Sequence, residues 1–206
     1  MATQSQTANK SDQNRAEQKI KQLRELYADA PEVGKAALEN GLHLLTQELA
    51  AAPRLQTAGR KGARQGKVSE FTMLIPFAKG GAKRLRGLLQ LLEGNFHGAD
   101  AVGTVHDMRF VFVDNDTTLL FATTFDGDWD AYIEDFATKI PNAMDLWLCN
   151  CDGYPGIRSP LVKDWVAKRQ IAADAWYVNS PNLTAAETKR LERVGKAVEE
   201  MLDKIG

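Results

Sequence analysis

Along residues 14–28 (NRAEQKIKQLRELYA) the apolar positions Ile20, Leu23 and Tyr27 recur at helical spacing. A second helix is expected from DAPE, with Asp29 as N-cap, Pro31 in the first turn and Glu32 as the capping-box partner. Leu38, Leu42, Leu45 and Leu49 form its stripe, and Pro53 follows its end. Together they make an αα appendage whose apolar faces need a partner, either the main domain or a second chain.

From Glu70 the period changes. Phe71 to Phe77 is a β-rich apolar run, and residues 80–94 read as a helix with Leu85, Leu88, Leu89 and Leu92 inward, stopped by Gly94. Residues 103–125 contain two strands around the turn formers Asp114, Asn115 and Asp116, the pattern of a β-hairpin. Helices follow over Trp129–Ile140, Asn142–Leu148 and Leu161–Ala172, with a loop at 149–160 and a short last strand at Ala175–Val178. The C-terminal helix opens with the capping box Thr184 and Glu187 and is expected to bury Leu191, Val194, Val198 and Leu202. The fold class is therefore α+β, a ferredoxin-like β-α-β-β-α-β order with an antiparallel sheet and an added C-terminal helix. Helices on one face of such a sheet leave the other to be buried, and sheet-to-sheet homodimerisation is the expected solution.

The first hairpin strand sharpens this. Thr104, His106, Met108, Phe110 and Phe112 alternate with Val105, Asp107, Arg109, Val111 and Val113. Both sets are largely apolar, so both faces are expected to be covered. Asp107 and Arg109 share one face and can pair there; the functional alternative is Arg109 gripping an anion such as a carboxylate. His106 stands on the other face.

Composition adds domain boundaries. Residues 1–13 read as a disordered tail, 14–53 as the helical appendage, 54–69 as a flexible linker rich in Gly and basic residues, and 70–206 as the α+β domain. The linker carries five basic side chains but no interleaved aromatic residue, so nucleic-acid binding is not expected. The net charge is −1, yet residues 51–86 hold nine basic residues against the single Glu70, and 87–156 hold twelve acidic against two basic. Two such blocks either neutralise each other within one fold or steer a partner. No apolar run is long enough to cross a bilayer and the N-terminus has no secretory h-region, so no membrane association is expected. Cys149 and Cys151 flank one residue, too close for an ordinary disulfide, which points to a reducing, cytoplasmic setting.

Several chemistries can be tested against spacing. FDGDWDAYIEDF, residues 125–136, contains the D-x-D-x-D opening of a calcium loop at Asp126, Asp128 and Asp130. An EF-hand then needs Gly at position 6 and Glu at position 12, where this chain has Ala131 and Ala137. A helix start explains the run instead, with Asp128 as N-cap and Asp130 and Glu134 near the positive helix end. Zinc is not supported, because Cys149 and Cys151 would need His43, His97 or His106 from distant positions. No G-x-S-x-G or Walker spacing occurs. The helix start at 82–86, with Lys83, Arg84 and Arg86, is either an anion site or a solvated basic turn. His106 is the best candidate for a polar role, with His97 second and Asp126 as its possible acceptor. The competing reading for His106 is a hydrogen-bonded core residue.

The runs TVHDMRFVFVD, LLFATTFDGDWDAYIEDF, LWLCNCDGYP and WYVNSPNLT resemble a group of bacterial domains related in fold to the dimeric α/β-barrel superfamily. That superfamily includes small monooxygenases, dye-decolourising peroxidases and chlorite-dismutase-like haem proteins. The resemblance spans about residues 70–200, through Thr104, His106, Arg109, Leu119, Leu120, Phe121, Phe125, Asp126, Gly127, Gly153, Tyr154, Pro155, Tyr177 and Pro181. The Gly-x-x-Asp-Gly signature of the peroxidases is absent. The resemblance implies a dimeric barrel and a redox-associated domain binding a small apolar ligand or haem, with oxygenase- or peroxidase-like activity. His106, Arg109 and Asp126 would be its catalytic set, and His106 with Tyr154 would contact the cofactor. The alternative is a non-catalytic assembly module using the N-terminal helices and the charge polarity.

Overall fold

A computed structural model describes residues 16–51, 55–94 and 97–205, with the side chains of 48–51 and His97 outside that description. The expected tail at 1–13 lies outside the described residues. The chain divides into two compact units, residues 1–54 and 55–206.

The first unit is a helical hairpin: α1 over residues 16–26 and α2 over Glu32–Ala51. Glu32 accepts from Lys35 Nζ (3.1 Å) at the start of α2, rather than reaching back to Asp29 as a capping box would. Arg24 on α1 and Glu39 on α2 join through two 2.8 Å hydrogen bonds, a bidentate clasp between the helices. Leu38 is buried, whereas Leu26 and Leu44 are exposed.

The second unit is α+β. Its strands are β1 (Gln56–Thr57), β2 (Ala63–Gln65), β3 (Val68–Pro76), β4 (Val105–Val113), β5 (Thr118–Asp126) and β6 (Gln170–Ile171). Its helices are α3 (Gly81–Leu91), α4 (Trp129–Lys139), α5 (Pro141–Leu148), α6 (Val162–Arg169) and α7 (Ala185–Ile205), with a 3-10 turn at His97–Ala101. All pairings are antiparallel, in the order β1-β2-β3-β5-β4, and β6 adds to β3 at Thr72 and Met73. Among the described residues no helix is long and apolar enough to cross a membrane.

The period-2 pattern of β3 and β5 defines one packed face. Phe71, Met73 and Ile75 lie beside Phe121, Leu119 and Phe125 under Trp129, Tyr132, Ile133 and Phe136 of α4, with Trp147 and Leu148 of α5 and Trp165 and Val166 of α6. Tyr132 is stacked on Phe125 (3.9 Å between centroids) and meets Phe71 and Phe136 edge-on. Each such aromatic pair adds roughly 0.5–1.5 kcal/mol to plain burial. The phenol is not stranded in this core, because it donates to Thr123 Oγ1 (2.9 Å), which donates to the Asp107 carbonyl (2.7 Å). Burial pushes the Tyr132 hydroxyl well above its ordinary titration range.

Four expectations change here. The linker is folded: β1 and β2 form a hairpin on the edge of β3, with Ala58 and Ala63 buried. Its basic side chains meet acidic ones, Arg60 at Asp130 (3.3 Å), Arg64 at Asp128 (2.9 Å) and Lys67 at Glu187 (2.8 Å). The opposite charge blocks therefore meet within one unit. Second, the last strand is Gln170–Ile171, five residues before the expected one, and it shortens α6. Third, cover for the sheet face away from α4 does not come from the described residues of this unit: Leu74 is 39% and Val111 42% exposed. Fourth, α7 keeps its capping box, with Glu187 N donating to Thr184 Oγ1 (3.1 Å) and Thr184 N to Glu187 (2.8 Å), but its apolar stripe is exposed.

The basic start of α3 is explained by packing. A Cβ on Gly81 would lie 2.0 Å from the Asn150 carbonyl, so only glycine lets the helix approach this loop. Asn150 Oδ1 accepts from Arg84 (3.0 Å), and its carbonyl accepts from Ala78 N (2.9 Å). Arg86 pairs with Asp116 and covers the Phe112 ring.

Candidate functional site

The strand carrying His106 is irregular. Val105 pairs with Phe125 and Asp107 with Thr124, so His106 is an extra residue, a β-bulge. The bulge reverses the simple alternation. His106 shares the open face of the sheet with Asp107 and Arg109, not the packed face with Met108 and Phe110. At the end of β5, Asp126 accepts from His106 Nε2 at 2.7 Å. Its other oxygen accepts from Ala185 N (2.9 Å), the first residue of α7. The two side chains are largely shielded, 22% and 11% exposed. A carboxylate only accepts, so Nε2 carries the proton, and in the neutral ring Nδ1 is then the acceptor.

Of these, His106 stands in the wall of a cleft of about 410 Å³ lined also by Val68, Asp107, Arg109, Thr124 and the segment Trp176–Ser180 with Leu183 and Thr188, and Asp126 lies behind it. Asp107 accepts from Thr124 Oγ1 and pairs with Arg109 at 3.3 Å. This pair is half exposed, so it stands at the rim of the cleft and is not the expected salt bridge inside the sheet. Lys67 N donates to the Pro181 carbonyl (2.7 Å) and Gly127 N to the Lys67 carbonyl (3.0 Å), tying the 172–183 segment to the sheet end.

His106, Arg109 and Asp126 thus come together at one end of the sheet. Tyr154 does not. Asp126 pairs with Val68 at one end of β3, whereas Cys151, three residues before Tyr154, bridges to Phe77 beyond the other end. Nine strand steps separate those ends, roughly 30 Å. Tyr154 donates to Asp145 (2.8 Å) and packs edge-on against Trp165. Its hydroxyl is pushed well above its ordinary range by burial and by the Asp145 bond. Cys151 beside it is buried, with its thiol raised to about 12 by desolvation, and both cysteines are free. His97 lies on the 3-10 turn; its side chain is outside the description.

Asp128 adopts the extended backbone of an N-cap, but its side chain binds Arg64 instead of capping α4. Among the described residues no three His, Cys, Asp or Glu side chains gather as a metal site. For haem, His106 Nε2 is engaged by Asp126, which leaves Nδ1 as the ring nitrogen with a free lone pair.

Trp176 to Ser180, which wall the cleft, are irregular where the sequence predicts a strand over Ala175–Val178. The signal was present in Asn179-Ser-Pro-Asn182, a turn-forming run directly after it. No family model matches this chain, and neither does any curated protein or solved structure.

Proposed function

We propose that the second unit binds a small organic acid with an apolar or aromatic body in the cleft at the His106 end of the sheet. The observation that carries this is His106 in the wall of that cleft beside Arg109, held from behind at 2.7 Å by Asp126, which the α7 backbone orients. Arg109 at the rim supplies charge and a planar fork for a carboxylate. Val68, Leu183, Trp176 and Tyr177 supply apolar and aromatic surface for the body. His106, with one nitrogen fixed by a carboxylate, is arranged to take or give a proton at the other. An oxygenase- or peroxidase-like step would be performed on a molecule held in this cleft. Iron ligation by His106 Nε2 would require giving up the Asp126 bond, so the organic ligand is favoured over haem.

The strand order β6-β3-β5-β4, with α3 between β3 and β4 and α4 to α6 between β5 and β6, supports the ferredoxin-like reading. The row Leu74, Leu120 and Val111 across the uncovered face supports a second sheet packing there as in a dimeric barrel. The assembly-module alternative draws on the separate helical unit, 1–54.

Benzoate is a suitable probe. Calorimetric titration of the full chain should show one saturable site, weakened at least tenfold by Arg109→Ala. Equal binding by wild type and Arg109→Ala, or none by wild type at millimolar benzoate, would reject the reading.

A further inference from the structure

The C-terminal helix is the most amphipathic element of the second unit and the least covered. Beyond Thr188 every residue of α7 is exposed, Leu191, Val194, Val198, Met201, Leu202 and Ile205 included. Such a helix lacks its main support, because most helical stability in proteins comes from packing an apolar face. These residues are also specifically spaced. Leu191, Val194, Val198, Met201 and Ile205 follow intervals of 3, 4, 3 and 4, the a/d seam of a heptad. That seam fits another helix of similar length better than it fits a flat sheet or a peptide strand.

Charge identifies which helix and in which direction. Between residues 190 and 196, Arg190, Arg193 and Lys196 stand against Glu192; between 199 and 204, Glu199, Glu200 and Asp203 stand against Lys204. The helix is basic in its first half and acidic in its second. The end turns follow the helix dipole, with Glu187 in the first and Lys204 in the last, so the reversed charge lies in the interior of the helix. A second α7 laid antiparallel sets each basic half beside an acidic half and opposes the two dipoles. A parallel copy would set like beside like. Antiparallel pairing about Val198 also places Met201 of one helix opposite Gly195 of the other, where nothing in its own chain occupies the space of a side chain.

We infer that α7 is a self-association element, pairing antiparallel with α7 of a second copy of this chain. Because α7 begins at Ala185, whose amide holds Asp126, assembly also steadies the end of the cleft.

The test is sedimentation equilibrium of the full chain across micromolar concentrations, with wild type and Val198→Glu, an exposed position whose change leaves the fold intact. Wild type should be a reversible dimer, and Val198→Glu should weaken it at least tenfold. A monomeric wild type overturns the proposal, as does a dimer untouched by Val198→Glu, which would assign assembly to another surface. Orientation is read on a Cys149→Ser background. Val198→Cys should cross-link readily under mild oxidation and Leu191→Cys should not; efficient cross-linking through Leu191→Cys contradicts the antiparallel arrangement.

Discussion

Two carboxylates at opposite ends of the sheet are held in nearly the same way. Asp126 takes one side-chain donor, the His106 ring, and one backbone donor, Ala185 N. Asp145 takes the Tyr154 hydroxyl at 2.8 Å and Ile157 N at 2.7 Å. The bonds are alike, and the surroundings separate them. Asp145 closes a loop against Trp165, and its donor packs on the core, whereas Asp126 presents its donor to a cleft with an arginine at the rim. A hydrogen-bonded carboxylate is therefore a scaffold by default, and what faces its partner decides whether it can also be a site.

The largest expected effect breaks the structural end. Asp145→Ala leaves a phenol and a loop amide without their acceptor and should cost about 2–3 kcal/mol in chemical denaturation. Benzoate affinity should stay within twofold of wild type. At the other end, Asp126→Asn keeps the shape but can no longer accept from both donors with a full charge. We expect a loss of about 1–2 kcal/mol, with benzoate binding reduced as well. If both variants change binding equally, the contrast between the ends is wrong.

The donors sharpen the same contrast. Tyr154→Phe should cost about 1 kcal/mol without affecting the cleft. His106→Ala, at a bulge on the open face, should cost no more than about 0.5–1 kcal/mol yet impair binding. The smallest effect concerns the start of α7. The Glu187 carboxyl is drawn down to about 2, mainly by Lys67 and then by the Thr184 capping box. A depressed folded pKa stabilises above the unfolded value of 4.5, and that contribution is lost as pH falls toward 2. Glu187→Gln should flatten the acid limb of the stability profile in that window.

Local rules were legible wherever one element decided the outcome. The hairpin turn at Asp114 to Asp116, whose three residues all take positive φ, was visible in residue type, as were α3, α4, α5 and the Thr184–Glu187 box. The His106–Asp126 acceptor relation was also legible, but only as a condition on where β5 ends. Three features were not. The hairpin at 56–65 is rich in Gly and basic residues because its side chains meet distant acids, and composition alone reads that as linker. The bulge at His106 inserts one residue and so exchanges the faces assigned by alternation. The exposed stripe of α7 shows that amphipathicity announces the need for a partner without saying whether the same chain provides it.

The most direct test of the cleft is side-chain nitrogen NMR of His106 during a benzoate titration, with the Ile157 amide as the reference at the far end. In the neutral ring, Nε2 should carry the proton toward Asp126 and Nδ1 should resonate as an unprotonated acceptor. Both His106 nitrogens should shift saturably with ligand while Ile157 stays still. A neutral His106 protonated at Nδ1, or a titration that moves Ile157 and leaves His106 unchanged, would contradict the account.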